Sequence, residues 1–250
     1  MCRHLAYLGV ERSLAEVVIE PPHSLLRQSY APQDMRSDAR MNADGFGIGW
    51  YVGGAPSRYR RACPMWTDAS LADVCRSVRA TAALAAVRSA TIGMPVVETA
   101  CAPFTDGAWL FSHNGVLVGW PRAAASMAER LPASDLLALE APTDSALLWA
   151  LLRADLRAGR DPAAALARLV RTADAAAPKS RLNLLLTDGS TIYATAWRHS
   201  LWWCARPDSV TVASEPCDRD GRWTEVPQRH LLVASESGTK LTELDGNENA

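Results

Sequence analysis

The residue with the most chemical potential stands second in the chain. Cytosolic methionine removal favours small second residues, so trimming of Met1 leaves Cys2 with a free α-amino group. One residue then carries both a nucleophile and a base. An α-amine titrates at about 7.7–8.0 and a cysteine thiol at about 8.5, and the thiolate is the reactive form. Such an amine can take the thiol proton and later return one to a leaving amine. A small buried cysteine at the start of a strand reads the same way. The second group is Phe111-Ser112-His113-Asn114-Gly115 at a strand end. Here the Asn114 amide and the Gly115 N–H can converge on one oxygen, the composition of an oxyanion hole, whose best-studied side-chain donor is worth roughly 2.7–4 kcal/mol in acyl transfer. Asn-Gly is equally a common hairpin dipeptide. His113 could activate a thiol, but the Cys2 amine already fills that role, and His113 reads as structural.

Two charged residues complete the set. Arg88 emerges from an otherwise apolar strand in Val87-Arg88-Ser89-Ala90-Thr91, where an unpaired guanidinium is costly to bury and calls for an anionic partner. The α-carboxylate of a substrate, held by both prongs of the fork, satisfies it, as does an internal carboxylate. Thr143-Asp144-Ser145 opens a long helix, where Asp144 can receive an α-ammonium group or complement the positive end of the helix dipole.

The elements that must position these residues follow from apolar periodicity. Strands are predicted over Cys2–Gly9 and Gly45–Val52, the second with glycines that suggest close backbone approach. A polar loop, Ala31 to Asp44, separates them and has the length of a site-lining segment. A helix over Ser70–Arg79, a buried strand over Ala82–Arg88 and a strand over Ala108–Ser112 come next. Two amphipathic helices are predicted over Asp144–Ala158 and Pro162–Ala177, capped by Thr143 and by Asp161 with Pro162 at the first helical position. The remainder reads as strands: Leu182–Thr187, Thr191–Trp197, Leu201–Ala205, Val210–Ala213 and Leu231–Ala234, with a turn at Asp188-Gly189 and a polar, frayed tail over Asp245–Ala250. Strands, two helices and strands again, with no linker and no repeat, predict one α+β domain over residues 1–250, with helices stacked on antiparallel sheets.

In order and content these four groups resemble the class II glutamine amidotransferases, which are N-terminal-nucleophile hydrolases. Asn42-Ala43-Asp44-Gly45-Phe46-Gly47 is also similar to that family's segment near the nucleophile, and the resemblance spans essentially the whole chain. It implies a four-layer αββα sandwich, with Cys2 as nucleophile, Asn114 and Gly115 as oxyanion hole, and Arg88, Thr91 and Asp144 as binders of the glutamyl group. Glutamine-dependent members usually read Cys-Gly at the start and Thr-His-Gly after the arginine, whereas this chain reads Cys2-Arg3-His4 and Thr91-Ile92-Gly93. Those departures argue against free glutamine. The opening Met1-Cys2-Arg3-His4-Leu5-Ala6-Tyr7-Leu8-Gly9, together with Arg88-Ser89-Ala90-Thr91, Asn183-Leu184-Leu185-Leu186-Thr187-Asp188-Gly189 and Ser214-Glu215-Pro216, resembles the ergothioneine-biosynthesis branch. That branch implies hydrolysis of γ-glutamyl-hercynylcysteine S-oxide through a Cys2 thioester, with no metal and no organic cofactor. The competing expectations are a glutaminase subunit that feeds ammonia to a separate synthase, and a non-catalytic binding protein.

Composition narrows the remaining classes. The chain has 250 residues, 48% hydrophobic and 21% charged, enough for a sizeable core. Its 26 basic and 27 acidic residues are scattered and sum to a charge of -1, which argues against nucleic acid as the main partner; the resemblance implies a small γ-glutamyl molecule in that place. No apolar run approaches the roughly 20 residues of a membrane span, and Glu11 interrupts the start too early for a signal peptide, so a cytoplasmic location is expected. The six cysteines and five histidines lack metal-ligand or disulfide spacing, so most cysteines read as reduced thiols and a structural zinc site is not expected. Among the nine tryptophans, Trp50, Trp66 and Trp120 could offer an aromatic surface to a trimethylammonium group or simply pack in the core. Oligomeric state has no signature in the sequence.

Overall fold

The computed structural model describes residues 2–34 and 41–244; Met1, the centre of the expected 31–44 loop and the tail over 245–250 lie outside the described residues. The strands are β1 (Arg3–Ser13), β2 (Phe46–Val52), β3 (Ala55–Arg61), β4 (Arg79–Val87), β5 (Phe104–Asp106), β6 (Trp109–Val116), β7 (Arg181–Thr187), β8 (Thr191–Ala196), β9 (Trp202–Arg206), β10 (Ser209–Ala213), β11 (Thr224–Glu225), β12 (His230–Ser235) and β13 (Gly238–Glu243). The helices are α1 (Leu14–Val18), α2 (Leu25–Tyr30), α3 (Leu71–Ser77), α4 (Ala125–Ala128), α5 (Ala133–Leu137), α6 (Asp144–Arg157) and α7 (Pro162–Ala176). One sheet has the order β11-β9-β10-β1-β4-β2-β3 and the other β13-β12-β8-β7-β6-β5. Neighbouring strands run antiparallel in both.

Three separate apolar interfaces make four layers of these pieces. Leu5, Tyr7, Phe46 and Ala85 of the first sheet pack with Leu14, Val18, Leu25 and Leu71 of α1 to α3. The opposite face of the same strands, Ala6, Leu8, Leu84 and Val212, meets Leu110, Leu185, Ala194 and Leu232 of the second sheet. Behind that sheet, Phe111, Leu184 and Leu186 pack against Leu148, Leu152, Leu166 and Val170 of α6 and α7, with the Phe111 and Trp149 rings stacked at 5.3 Å between centroids. The order helix, sheet, sheet, helix is the α+β, four-layer sandwich that the resemblance implied. Residues of β1 and β4 are buried on both faces because both strands are central, which is why they read as nearly unbroken apolar runs.

The glycines of β2 have a packing reason. A Cβ on Gly49 would come within 2.7 Å of Leu110 in the second sheet and one on Gly47 would press on the Ala102 carbonyl, so hydrogen at 49 lets the second sheet close on the first and hydrogen at 47 lets the connection before β5 pass over it. The predicted caps are present: Thr143 accepts from Ala146 N at α6 and Asp161 from Ala164 N at α7, with Pro162 at the helix start. Each such cap is worth about 1 kcal/mol. Among the described residues, no helix is long and apolar enough to cross a membrane.

Candidate active site

Cys2 immediately precedes β1, which is held on one side by β4 and on the other by β10. Alternation along the strand sends Arg3, Leu5 and Tyr7 toward the helices and His4, Ala6 and Leu8 toward the second sheet. Cys2 is half-buried, and its Sγ lies 3.9 Å from the Ser89 carbonyl just beyond β4. At this end of the sandwich Cys2 lines a small cavity with Arg88, Phe104, His113 and Ser145. Two of these, Cys2 and Arg88, are residues singled out from sequence.

Arg88 is set by its backbone: its N–H donates to Gly45 O at 2.8 Å and its carbonyl accepts from Asp44 N at 2.9 Å. This docks the 42–45 segment beside the nucleophile, and Asp44 adds a bond from Ala90 N at 2.8 Å. The guanidinium is buried, donates from Nη1 to Pro95 O at 2.8 Å, and forms no ion pair among the described residues. A buried fork of this kind, next to a thiol, is suited to a carboxylate. Thr91 is exposed and closes a turn in which Met94 N donates to its carbonyl, with Ile92 at the fully exposed tip; Thr91 does not line the cavity.

Asn114 and Gly115 are not in a hairpin. They lie inside β6, opposite Asn183 and Leu182 of β7, and are followed by one more strand residue. Asn114 is fully buried on the inter-sheet face, with Nδ2 at 3.0 Å from Ser214 Oγ and an Oδ1 that has no partner among the described residues. Ser214 in turn accepts from His4 N at 3.0 Å, and His4 Nδ1 meets Ser112 Oγ at 3.2 Å. Neither Asn114 nor Gly115 lines the cavity that holds Cys2. Burial above all, with His113 and Arg3 close by, pushes His4 down to about 3, so its ring is neutral.

His113 points the other way, into the cavity. Nδ1 is 3.0 Å from Ser145 Oγ and Nε2 is 3.0 Å from the Arg181 carbonyl, which needs the proton on Nε2 and leaves Nδ1 to accept from Ser145. Asp144 is beside Ser145 but does not line the cavity. Its Oδ2 accepts from Leu117 N at 3.0 Å and its Oδ1 from Ser145 N at 2.7 Å, so the carboxylate ties the end of β6 to the start of α6.

A contact that sequence reading did not anticipate joins Arg3 and Glu215. Nε donates to Oε1 at 2.8 Å, and both side chains are 1% exposed. Burial raises the Glu215 carboxyl, but His23, Arg3 and the Gln33 N–H outweigh it and hold it below the ordinary glutamate range. Its members are far apart in the chain, and no local pattern marks their pairing. His113, weighed as a base from sequence but read as structural, lines the cavity, and Ser145 was missed; the signal available was its position one step from Asp144.

The remaining candidates separate cleanly. All six cysteines are free; burial pushes Cys75 and Cys217 up to about 12 and Cys101 up to about 11, so these stay protonated thiols. Trp50 packs against the first helical interface, Trp120 against the second, and Trp66 meets Tyr30 edge-on, so the three form no common surface. No group of three or more His, Cys, Asp or Glu among the described residues is placed to hold a metal ion.

The sequence profile of the family described as "Glutamine amidotransferases class-II" matches residues 17–209. A protein named gamma-glutamyl-hercynylcysteine sulfoxide hydrolase from Mycobacterium tuberculosis (strain CDC 1551 / Oshkosh) is 44% identical over 98% of this chain and 97% of its own. One of the same name from Mycolicibacterium smegmatis is 43% identical over 98% of this chain and 100% of its own. Among solved structures, a glutamine aminotransferase class-II domain protein from Silicibacter pomeroyi superimposes with a TM-score of 0.71 at 25% identity, covering 98% of this chain and 100% of that one.

Proposed function

The chain belongs to the class II glutamine amidotransferases, and from that premise we propose that it hydrolyses the γ-glutamyl amide of γ-glutamyl-hercynylcysteine S-oxide. The products are glutamate and hercynylcysteine S-oxide, a step of ergothioneine biosynthesis. The observation that carries the chemistry is the convergence on one cavity of Cys2 and the Arg88 fork, which forms no ion pair among the described residues. The choice of substrate rests on the relatives that bear the hydrolase name.

In the proposed reaction, the α-amine of Met1-trimmed Cys2 takes the thiol proton and Sγ adds to the γ-carbonyl carbon. The oxyanion is held by the Asn114 amide, after its Nδ2 turns from Ser214 Oγ toward the substrate, and by the Gly115 N–H. Arg88 binds the α-carboxylate and Asp144 accepts the α-ammonium. Collapse breaks the C–N bond, the Cys2 ammonium protonates the departing amine, and a γ-glutamyl thioester remains. Water, deprotonated by the same amine, then releases glutamate and restores the thiol. Neither a metal nor an organic cofactor enters these steps. The proposed setting is the cytoplasm, where a reduced Cys2 persists.

Product analysis tests the reading. Met1-trimmed protein is incubated with the γ-glutamyl conjugate and, separately, with glutamine. Release of glutamate from the conjugate, with glutamine left intact, is the expected result. Ammonia from glutamine alone would instead make the chain a glutaminase that serves a separate synthase, and cleavage of neither would leave a binding role.

A further inference from the structure

We propose that Arg3 is a positioning residue that fixes the nucleophile Cys2 and ties it to the 33–34 segment through the buried pair with Glu215. The inference rests on the reading of Cys2 as the nucleophile. Each guanidinium nitrogen of Arg3 has a different acceptor: Nε donates to Glu215 Oε1 at 2.8 Å, Nη1 to the Cys2 carbonyl at 3.1 Å, and Nη2 to the Asp34 carbonyl at 2.8 Å. Glu215 distributes its other oxygen in the same manner, accepting from Gln33 N at 2.8 Å and from His23 Nε2 at 2.7 Å. One ion pair therefore joins the chain start, the approach to the 35–40 segment, the turn before α2 and the exit from β10.

The strand geometry makes this a device for Cys2 rather than part of its cavity. Arg3 lies on the helix side of the first sheet and does not line the cavity that holds Cys2 and Arg88. The pairing of β1 with β4 begins at Arg3 opposite Val87, so Cys2 lies outside the ladder. A terminal residue beyond the last ladder bond frays unless something holds it. The bond from Nη1 to the Cys2 carbonyl is such a tie, and it is itself held by the Glu215 carboxylate. A nucleophile must be within a fraction of an ångström of its attack position, and a 1 Å error costs on the order of a hundredfold in rate. A lysine at position 3 keeps the charge opposite Glu215 but lacks the fork, and cannot serve Cys2, Asp34 and Glu215 together.

Two variants of the Met1-trimmed enzyme test the assignment: Arg3→Lys, and the paired change Arg3→Met with Glu215→Gln. The second removes both buried charges together and keeps an oxygen for Gln33 and His23, which protects the fold. The readouts are thermal melting, kcat and KM for the γ-glutamyl conjugate, and the rate constant for alkylation of Cys2 by iodoacetamide. Both variants are expected to melt cooperatively near the parent, with kcat and the alkylation rate reduced between about ten- and a hundredfold and KM changed less than about threefold. Folded variants that alkylate and turn over at the parent rate would overturn the assignment, as would losses that follow the folded fraction alone. Alkylation needs no substrate, so it reports on Arg3 even if the proposed substrate proves wrong.

Discussion

Gly115 lies so close to Arg181 on the neighbouring strand that a Cβ built on it would stand 1.8 Å from the Arg181 carbonyl oxygen and 2.5 Å from His113 Nε2. That carbonyl is also the acceptor for His113, so a methyl group here pushes β6 off β7 and breaks the bond that orients the cavity histidine. Gly115→Ala is expected to destabilise the fold by about 1–3 kcal/mol or more, as overpacking does, and to lower kcat by about a hundredfold through the displaced oxyanion corner. Denaturant unfolding and steady-state kinetics check the two parts. Parent stability with parent kcat would mean that this corner has no role in either.

Arg88→Lys removes a two-pronged partner and keeps a point charge. Among the described residues the side chain has one acceptor, the Pro95 carbonyl, so the folding cost is small. We expect KM for γ-glutamyl substrates to rise about tenfold or more, corresponding to a lost charge-assisted bond of about 1.5–3 kcal/mol, with kcat nearly unchanged. An unchanged KM would exclude a bond from Arg88 to the substrate carboxylate.

Asp144→Asn separates the two duties of that carboxylate. Asparagine keeps one acceptor oxygen and turns an NH2 toward the Leu117 or the Ser145 N–H, so a buried donor loses its partner. The expected cost is about 1–3 kcal/mol in unfolding free energy, accompanied by a rise in KM from the lost partner of the α-ammonium. A rise in KM with parent stability would contradict the structural tie, and lost stability with parent KM the binding role.

His4 makes stability pH-dependent in a defined direction. Buried and neutral in the fold, it takes up a proton only near pH 3, whereas in the unfolded chain it does so near pH 6.5. Below that upper value the unfolded state binds more protons, and folding weakens as pH drops from about 6.5 toward 3, with a limiting slope of about 1.4 kcal/mol per pH unit. Between pH 7 and 5.5 the wild type should lose about 1 kcal/mol more than His4→Gln. Equal losses in both proteins would mean that His4 is protonated in the folded state.

Much of the scaffold was legible because its signals are local. The apolar run after Cys2, the caps Thr143 and Asp161-Pro162, and the helical spacing of α6 and α7 all depend on neighbours within a few residues. β3 was not legible, since as an edge strand carrying Arg58, Arg60 and Arg61 it has no buried face to mark it, and β13 is exposed along its whole length. Cys2 and Arg88 were read as site residues from their own chemistry, and they do share a cavity. The pairing of Arg3 with Glu215 spans 212 positions, and the anchoring of Leu117 by Asp144 depends on the turn after β6; neither leaves a periodic trace.

The account depends most on a covalent bond to the first residue of the processed chain. Met1-trimmed enzyme mixed with the γ-glutamyl conjugate and quenched in acid during turnover should yield an N-terminal peptide bearing a γ-glutamyl group on Cys2, released by hydroxylamine as a thioester would be. Cys2→Ala should fold as the parent does, carry no adduct and hydrolyse nothing. Turnover by the alanine variant, or an adduct mapped to Cys63 or any other residue, would contradict it.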